Sequence, residues 1–343
     1  MKTKSHLKHV AILNSIQAGK STFSYCFIVI TSLMMFFTAC GNKKSQDSTS
    51  EETADVNSNA KFVANPQVIE PVDEVTVLPI GSKAPEFNLP ATDGNYYSLD
   101  DFSDAKALVI LFTCNHCPTA QAYEERMKQI VVDYEDKGVQ VVAISPNSPI
   151  AVLHEELGYS DMGDSFEDMI VWVKEMEYNF PYLYDGDTHE YSIAYGPVAT
   201  PHAYVFDKDR ILQYTGRLDA SEKPGSANAE DLRAAIDAVL ANEPVAQHVT
   251  KTFGCSVKWS WKNEWTEKVN KEWEQKTVNI EEIDESGIKK LLQNDSDKLR
   301  LINVWATWCG PCVIEYPEFV TIHRMFSGRD FEFISISADK PEH

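Results

Sequence analysis

The sequence predicts an α/β chain of two tandem domains, each a central mixed sheet flanked by helices, with the second domain incomplete. Three observations carry that prediction. Largely apolar runs such as ALVILF (107–112) and VQVVAIS (139–145) read as strands buried on both faces, since a half-exposed strand would alternate. Segments of helical length separate such runs. The strand–helix–strand pattern then begins again near residue 279 and stops at residue 343.

Residues 1–39 read as a leader. Lys2, Lys4 and Lys8 come first, an apolar stretch runs from Phe23 to Phe37, and small residues precede Cys40. Residues 40–78, which after Cys40 read GNKKSQDSTSEETADVNSNA (41–60), are polar and acidic, too poor in apolar groups to offset chain entropy, and are expected to form a disordered tether. The first domain spans 79–243. Asp93-Gly94 marks a hairpin, and a helix follows the strand 107–112 as far as about Lys137. A further helix from Phe166 to Tyr178 has Ser165 and Asp168 in capping positions. FPYLYD (180–185) is a short strand, HAYVFD (202–207) and ILQYTG (211–216) form an antiparallel pair, and a helix from Ala229 to Leu240 closes the domain. Residues 244–278 are a connector with WSWKNEW as a candidate helix, and 279–343 start the second domain.

The formal charge of −21 repels polyanions, so a nucleic-acid role is discarded. Cysteine spacing is more informative. Cys26 lies inside the leader and Cys40 at its end. Cys114/Cys117 and Cys309/Cys312 are two Cys-x-x-Cys pairs, and Cys255 is left over. Far more chain separates the pairs than a zinc ribbon allows, so neither a shared metal site nor a cofactor is expected. With a strand ending at Phe112, Cys114 is expected at a helix N-terminus, where free N–H groups favour a thiolate, with Cys117 one turn on as resolving thiol. His116 is a candidate for tuning Cys114. Cys255 reads either as an inert thiol or as a third redox thiol.

Several ordered motifs, CNHCP (114–118), FPYLYD, ATPHAYVFDKD (199–209), AEDLRAAIDAVL (229–240) and GCSVKW (254–259), resemble the thioredoxin superfamily, in a redoxin branch related to the peroxiredoxins. The resemblance implies a thioredoxin-like fold and a cis-proline at Pro201, after Thr200, facing the dithiol. Peroxiredoxins place Pro-x-x-x-Thr-x-x-Cys at the peroxide site. With Cys117 as that cysteine, the threonine and proline positions hold Cys114 and Ile110. With Cys114, they hold Leu111 and Ala107, and the position expected to bring the arginine is Pro201. LRLINVWATWCGPCVIEYPEF (299–319), with Trp308, Gly310 and Pro311 around Cys309 and Cys312, resembles reductase-like thioredoxins of the envelope. FFTACGN resembles the lipobox of bacterial lipoproteins, which implies lipidation at Cys40.

The expected function is therefore thiol–disulfide exchange on protein thiols and disulfides of the bacterial cell envelope, with an upstream reductant and a membrane attachment through lipid alone. Three alternatives stand beside it: a soft-metal module using Cys114, His116 and Cys117 for an ion such as Cu(I), a peroxiredoxin-like peroxidase, and a non-catalytic scaffold. The second domain is expected to be a fragment whose sheet edge is uncovered.

Overall fold

The computed structural model describes residues 8–12, 62–158 and 162–340. Cys26, Cys40 and the tether up to residue 61 lie outside the described residues. The first domain is built on a five-stranded sheet ordered Tyr182–Tyr184, Val139–Ser145, Ala107–Phe112, His202–Asp207, Leu212–Gly216. The first three strands run parallel, and each of the last two pairs antiparallel with the strand before it in that order. The strand Ala107–Phe112 lies at the centre and every residue of it is buried. Its odd and even positions serve different cores. Val109 and Leu111 share a cluster with Tyr123, Met127 and Ile130 of the helix Pro118–Tyr134. Leu108, Ile110 and Phe112 share the other with Phe87, Tyr195 and Phe206. This double coverage explains why the run is apolar without alternation.

The expected elements are present with shifted ends. The hairpin pairs Asn88–Pro90 with Tyr96–Ser98, and Gly94 between them takes φ +89°, a left-handed turn conformation that glycine adopts without strain. The helix Phe166–Glu175 is capped by Ser165 Oγ, which accepts the Asp168 N–H at 3.0 Å. The closing helix is Glu230–Ala241.

The tether expectation fails from residue 62 onward. Residues 62–78 are extended chain laid on the first domain, because apolar anchors interrupt their polarity. Phe62 packs edge-on against Phe166 with ring centroids 4.8 Å apart. Asn65 donates to Asp187 Oδ2, Ile69 to Ser260 Oγ and Leu78 to the Tyr195 carbonyl. These bonds satisfy backbone that a solvated tether would leave to water.

In the connector, Cys255–Ser256 pairs antiparallel with Ala199–Thr200, and Asn263–Glu274 is a helix. The second region contains the strands Asn279–Ile283, Leu299–Trp305 and Phe331–Ser337 and the helices Glu285–Gln293 and Gly310–Met325. Its last two strands are parallel, as the sequence predicts. Lys8–Ile12 pairs antiparallel with both Asn279–Ile283 and Phe331–Ser337, so part of the expected leader occupies an edge that would otherwise be unpaired. Coverage here is thin. Phe333, Ile334 and Ile336 are buried, while Ile314, Trp308 and Leu299 are each more than 70% exposed. Among the described residues, no helix is long and apolar enough to cross a membrane.

Candidate active site

The chain leaves the central strand at Phe112, makes a loop of five residues and enters the helix at Pro118. Proline presets a helical φ and loses nothing by lacking an N–H in the first turn, so the helix starts there. The residue at its N-terminus is therefore Cys117, not Cys114 as expected. Cys117 Sγ accepts the Ala120 N–H at 3.4 Å. Pro118 was the signal in the sequence that could have located this cap.

Both sulfurs lie under the loop of the cis peptide Thr200–Pro201. Cys114 Sγ is 3.1 Å from Thr200 Oγ1, and Cys117 Sγ is 3.2 Å from the Thr200 carbonyl oxygen. Neither cysteine exposes more than 1% of its surface. Burial foremost, together with the contact to Cys117 and the nearby Asp164 charge, holds the Cys114 thiol well above its ordinary range. Cys117 is pulled the other way. Hydrogen bonds from the Cys114 and Cys255 thiols lead, the Ala120 and Cys255 backbone N–H groups assist, and burial opposes them. The Thr200 carbonyl rewards a proton on Cys117, but one acceptor faces several donors. We place the thiolate on Cys117.

The loop between strand and helix is fastened by one carboxylate. Asp164 Oδ1 accepts the backbone N–H groups of Asn115 (2.9 Å) and His116 (3.1 Å). Its Oδ2 meets His116 Nδ1 at 2.6 Å and accepts from Asn147 Nδ2 at 2.7 Å. Asn147 Oδ1 in turn accepts the Lys258 N–H from the connector at 2.8 Å. Burial alone would lower the His116 pKa, but the Asp164 charge and hydrogen bond outweigh it and leave it raised. Burial would likewise raise Asp164, and the His116 charge and the donors around it leave it lowered. His116 and Asp164 thus form a buried ion pair. His116 serves chiefly to hold the loop, and Asp164 and Asn147, which the sequence does not single out, complete the site.

The remaining predicted residues divide. Cys255 joins the cluster of Cys114, Cys117 and Ala120. His202, predicted only as part of the motif ATPHAYVFDKD, turns away into the sheet, with Nε2 2.9 Å from Thr215 Oγ1, and burial brings its pKa down to about 3. The second pair is separate. Cys309 and Cys312 are disulfide-bonded and half-buried at the start of the helix Gly310–Met325, with Pro311 in its first turn. Trp308 is 76% exposed beside them, and no atom lies within 4 Å of a Cβ built on Gly310. Among the described residues, one group has metal-ligand geometry: Cys114, His116 and Asp164, all buried, with ligand atoms within 4.8 Å of one another. That differs from the expected trio, since Asp164 stands where Cys117 was foreseen.

Residues 80–215 match the AhpC/TSA family. The "Putative peroxiredoxin Rv2521" of Mycobacterium tuberculosis is 33% identical over 76 residues, 22% of this chain and 48% of that protein. The thiol-disulfide oxidoreductase ResA of Oceanobacillus iheyensis is 32% identical over 62 residues, 18% of this chain and 31% of that protein. The chain thus spans at most about half the length of these curated relatives. A crystal structure of an uncharacterized conserved protein from Geobacillus kaustophilus is 39% identical, covering 53% of this chain and 92% of that one, with a TM-score of 0.47.

Proposed function

We propose that this chain, which belongs to the thioredoxin superfamily through its redoxin domain, is a thiol–disulfide oxidoreductase acting on protein disulfides in the cell envelope. The observation that carries the reading is the buried Cys117 sulfur, which caps the helix N-terminus and accepts the Ala120 N–H, with a second buried thiol three residues before it and the Thr200–Pro201 loop over both. The thiolate attacks a partner disulfide and expels one partner sulfur. Cys114 then attacks Cys117 in the mixed disulfide, closes Cys114–Cys117 and releases the partner as a dithiol. Electrons return from an upstream protein dithiol, for which Cys309/Cys312 is the candidate within the chain.

Peroxide reduction is less well served. The buried Arg126 is committed to Asp219 at 2.9 Å, and the buried Arg210 to the Phe102 and Ala105 carbonyls. Neither of these two buried arginines is free to meet a peroxide. With dithiothreitol as electron source, the full chain should reduce insulin disulfides faster than it consumes hydrogen peroxide. The reverse order would make it a peroxidase. A soft-metal module is the second reading, favoured by the Cys114–His116–Asp164 cluster and by His116 Nε2, which is buried without a hydrogen-bond partner. Tight Cu(I) binding by a protein inert toward insulin would select it.

We further propose lipidation at Cys40. The wild type should then partition into detergent, and Cys40→Ala should release it or block processing. Cleavage before Cys40 would remove Lys8–Ile12 and open the sheet edge it fills. A mature mass that retains residues 8–12 would end the lipoprotein reading.

A further inference from the structure

Three sulfurs meet at this site, and the exchange chemistry above uses two. Cys255 packs against the cluster that Cys114, Cys117 and Ala120 form at the start of the helix. Cys255 is placed there by the fold. Its strand pairs residue for residue with the cis-proline loop, Cys255 opposite Thr200. Gly254, at φ +144°, lies so close to that loop that a Cβ would come within 2.1 Å of the Thr200 carbonyl oxygen. Any other residue at 254 would push the strand, and Cys255 with it, away from Cys117. Exposure also differs across the trio. Cys114 and Cys117 are sealed, whereas Cys255 is partly open to solvent.

We propose that Cys255 is a third redox cysteine that takes over the disulfide from the buried pair and carries it to the protein surface. The inference rests on the oxidoreductase reading above. In the oxidised centre, Cys255 gives up its proton and its sulfur attacks Cys117 Sγ. The Cys117–Cys255 bond forms, the Cys114–Cys117 bond breaks, and Cys114 leaves as a thiolate that takes up a proton. No electrons are gained or lost in this step. A reducing protein dithiol then attacks Cys255, expels the Cys117 thiolate and closes its own disulfide, which restores all three thiols. The contact with Cys117 is the foremost reason that the Cys255 thiol resists ionisation in the reduced centre.

Tryptic cleavage separates the partners cleanly, because 107–126 holds Cys114 and Cys117 while 252–258 holds Cys255. The full-length protein is oxidised with diamide, quenched in acid and alkylated. The monomer band of a non-reducing gel is then digested and mapped by mass. We expect part of the wild type to carry 252–258 joined to 107–126, and Cys114→Ser to carry that cross-link almost throughout. Finding 252–258 singly alkylated in both proteins would overturn the relay. The wild-type arm needs no variant to fold. In turnover with insulin and dithiothreitol, Cys255→Ser should be slower by about tenfold while still closing Cys114–Cys117. Undiminished turnover in Cys255→Ser would sink the relay and leave the oxidoreductase reading standing, whereas a wild type inert toward insulin would sink that reading whatever the cross-link shows.

Discussion

Asp164→Ala should destabilise the protein by about 3–5 kcal/mol, the cost of removing one member of a buried, hydrogen-bonded ion pair. The loss has several parts. His116 would keep a buried charge or surrender its proton, and the Asn115 and His116 N–H groups and Asn147 Nδ2 would lose their acceptor. Asp164→Asn keeps an acceptor oxygen and removes the charge, so it should cost less. The pair also has a pH signature. His116 is raised from its ordinary 6.5, so its contribution is complete below that value and is lost as pH rises through the folded-state pKa. Asp164 is lowered from 3.8, so its contribution is present above that value and is lost as pH falls through the folded-state pKa. Chemical denaturation across this range should show a wild-type plateau between the two limbs, flattened in Asp164→Asn. Equal stability of Asp164→Ala and wild type at neutral pH would mean that the carboxylate is not the fastening described.

Cys117→Ser should lower insulin turnover by about 10³-fold or more, because it removes the sulfur common to every exchange at this site. Cys114→Ser should behave differently. With Cys255 available to resolve the mixed disulfide, partner proteins should not accumulate on it, and stable partner adducts should appear only in the double variant Cys114→Ser/Cys255→Ser. Non-reducing electrophoresis after incubation with oxidised insulin would compare the three. Strong trapping on Cys114 in Cys117→Ser would reverse the assignment and restore Cys114 as the attacking sulfur.

Local signals were legible. ALVILF fixes a central strand, Asp93-Gly94 a turn, and Thr200-Pro201 a loop at the dithiol, and each is where the sequence puts it. What stayed hidden depends on pairings between distant residues. Asp164 sits in a loop with no periodicity, far along the chain from the His116 it binds. Cys255 reaches Cys117 only because a two-residue strand docks on the cis-proline loop, too short a pairing to leave a pattern. The segment 62–78 departs from the expected tether for a related reason. Its average polarity resembles a tether, but a few spaced anchors, Phe62 and Leu78 among them, decide its placement.

The burial of the dithiol has a consequence for selectivity. A thiolate in open water reacts with whatever electrophile diffuses past, at a rate set by its own basicity. One roofed over by Thr200 and Pro201 reacts only in the small share of molecules that are momentarily open, so its observed rate is that share multiplied by the intrinsic one. Low-mass oxidants in brief encounters are filtered by this duty cycle, however acidic the thiol. A protein that stays docked through many openings is not. Such a centre ranks its reactants by residence time before it ranks them by reactivity.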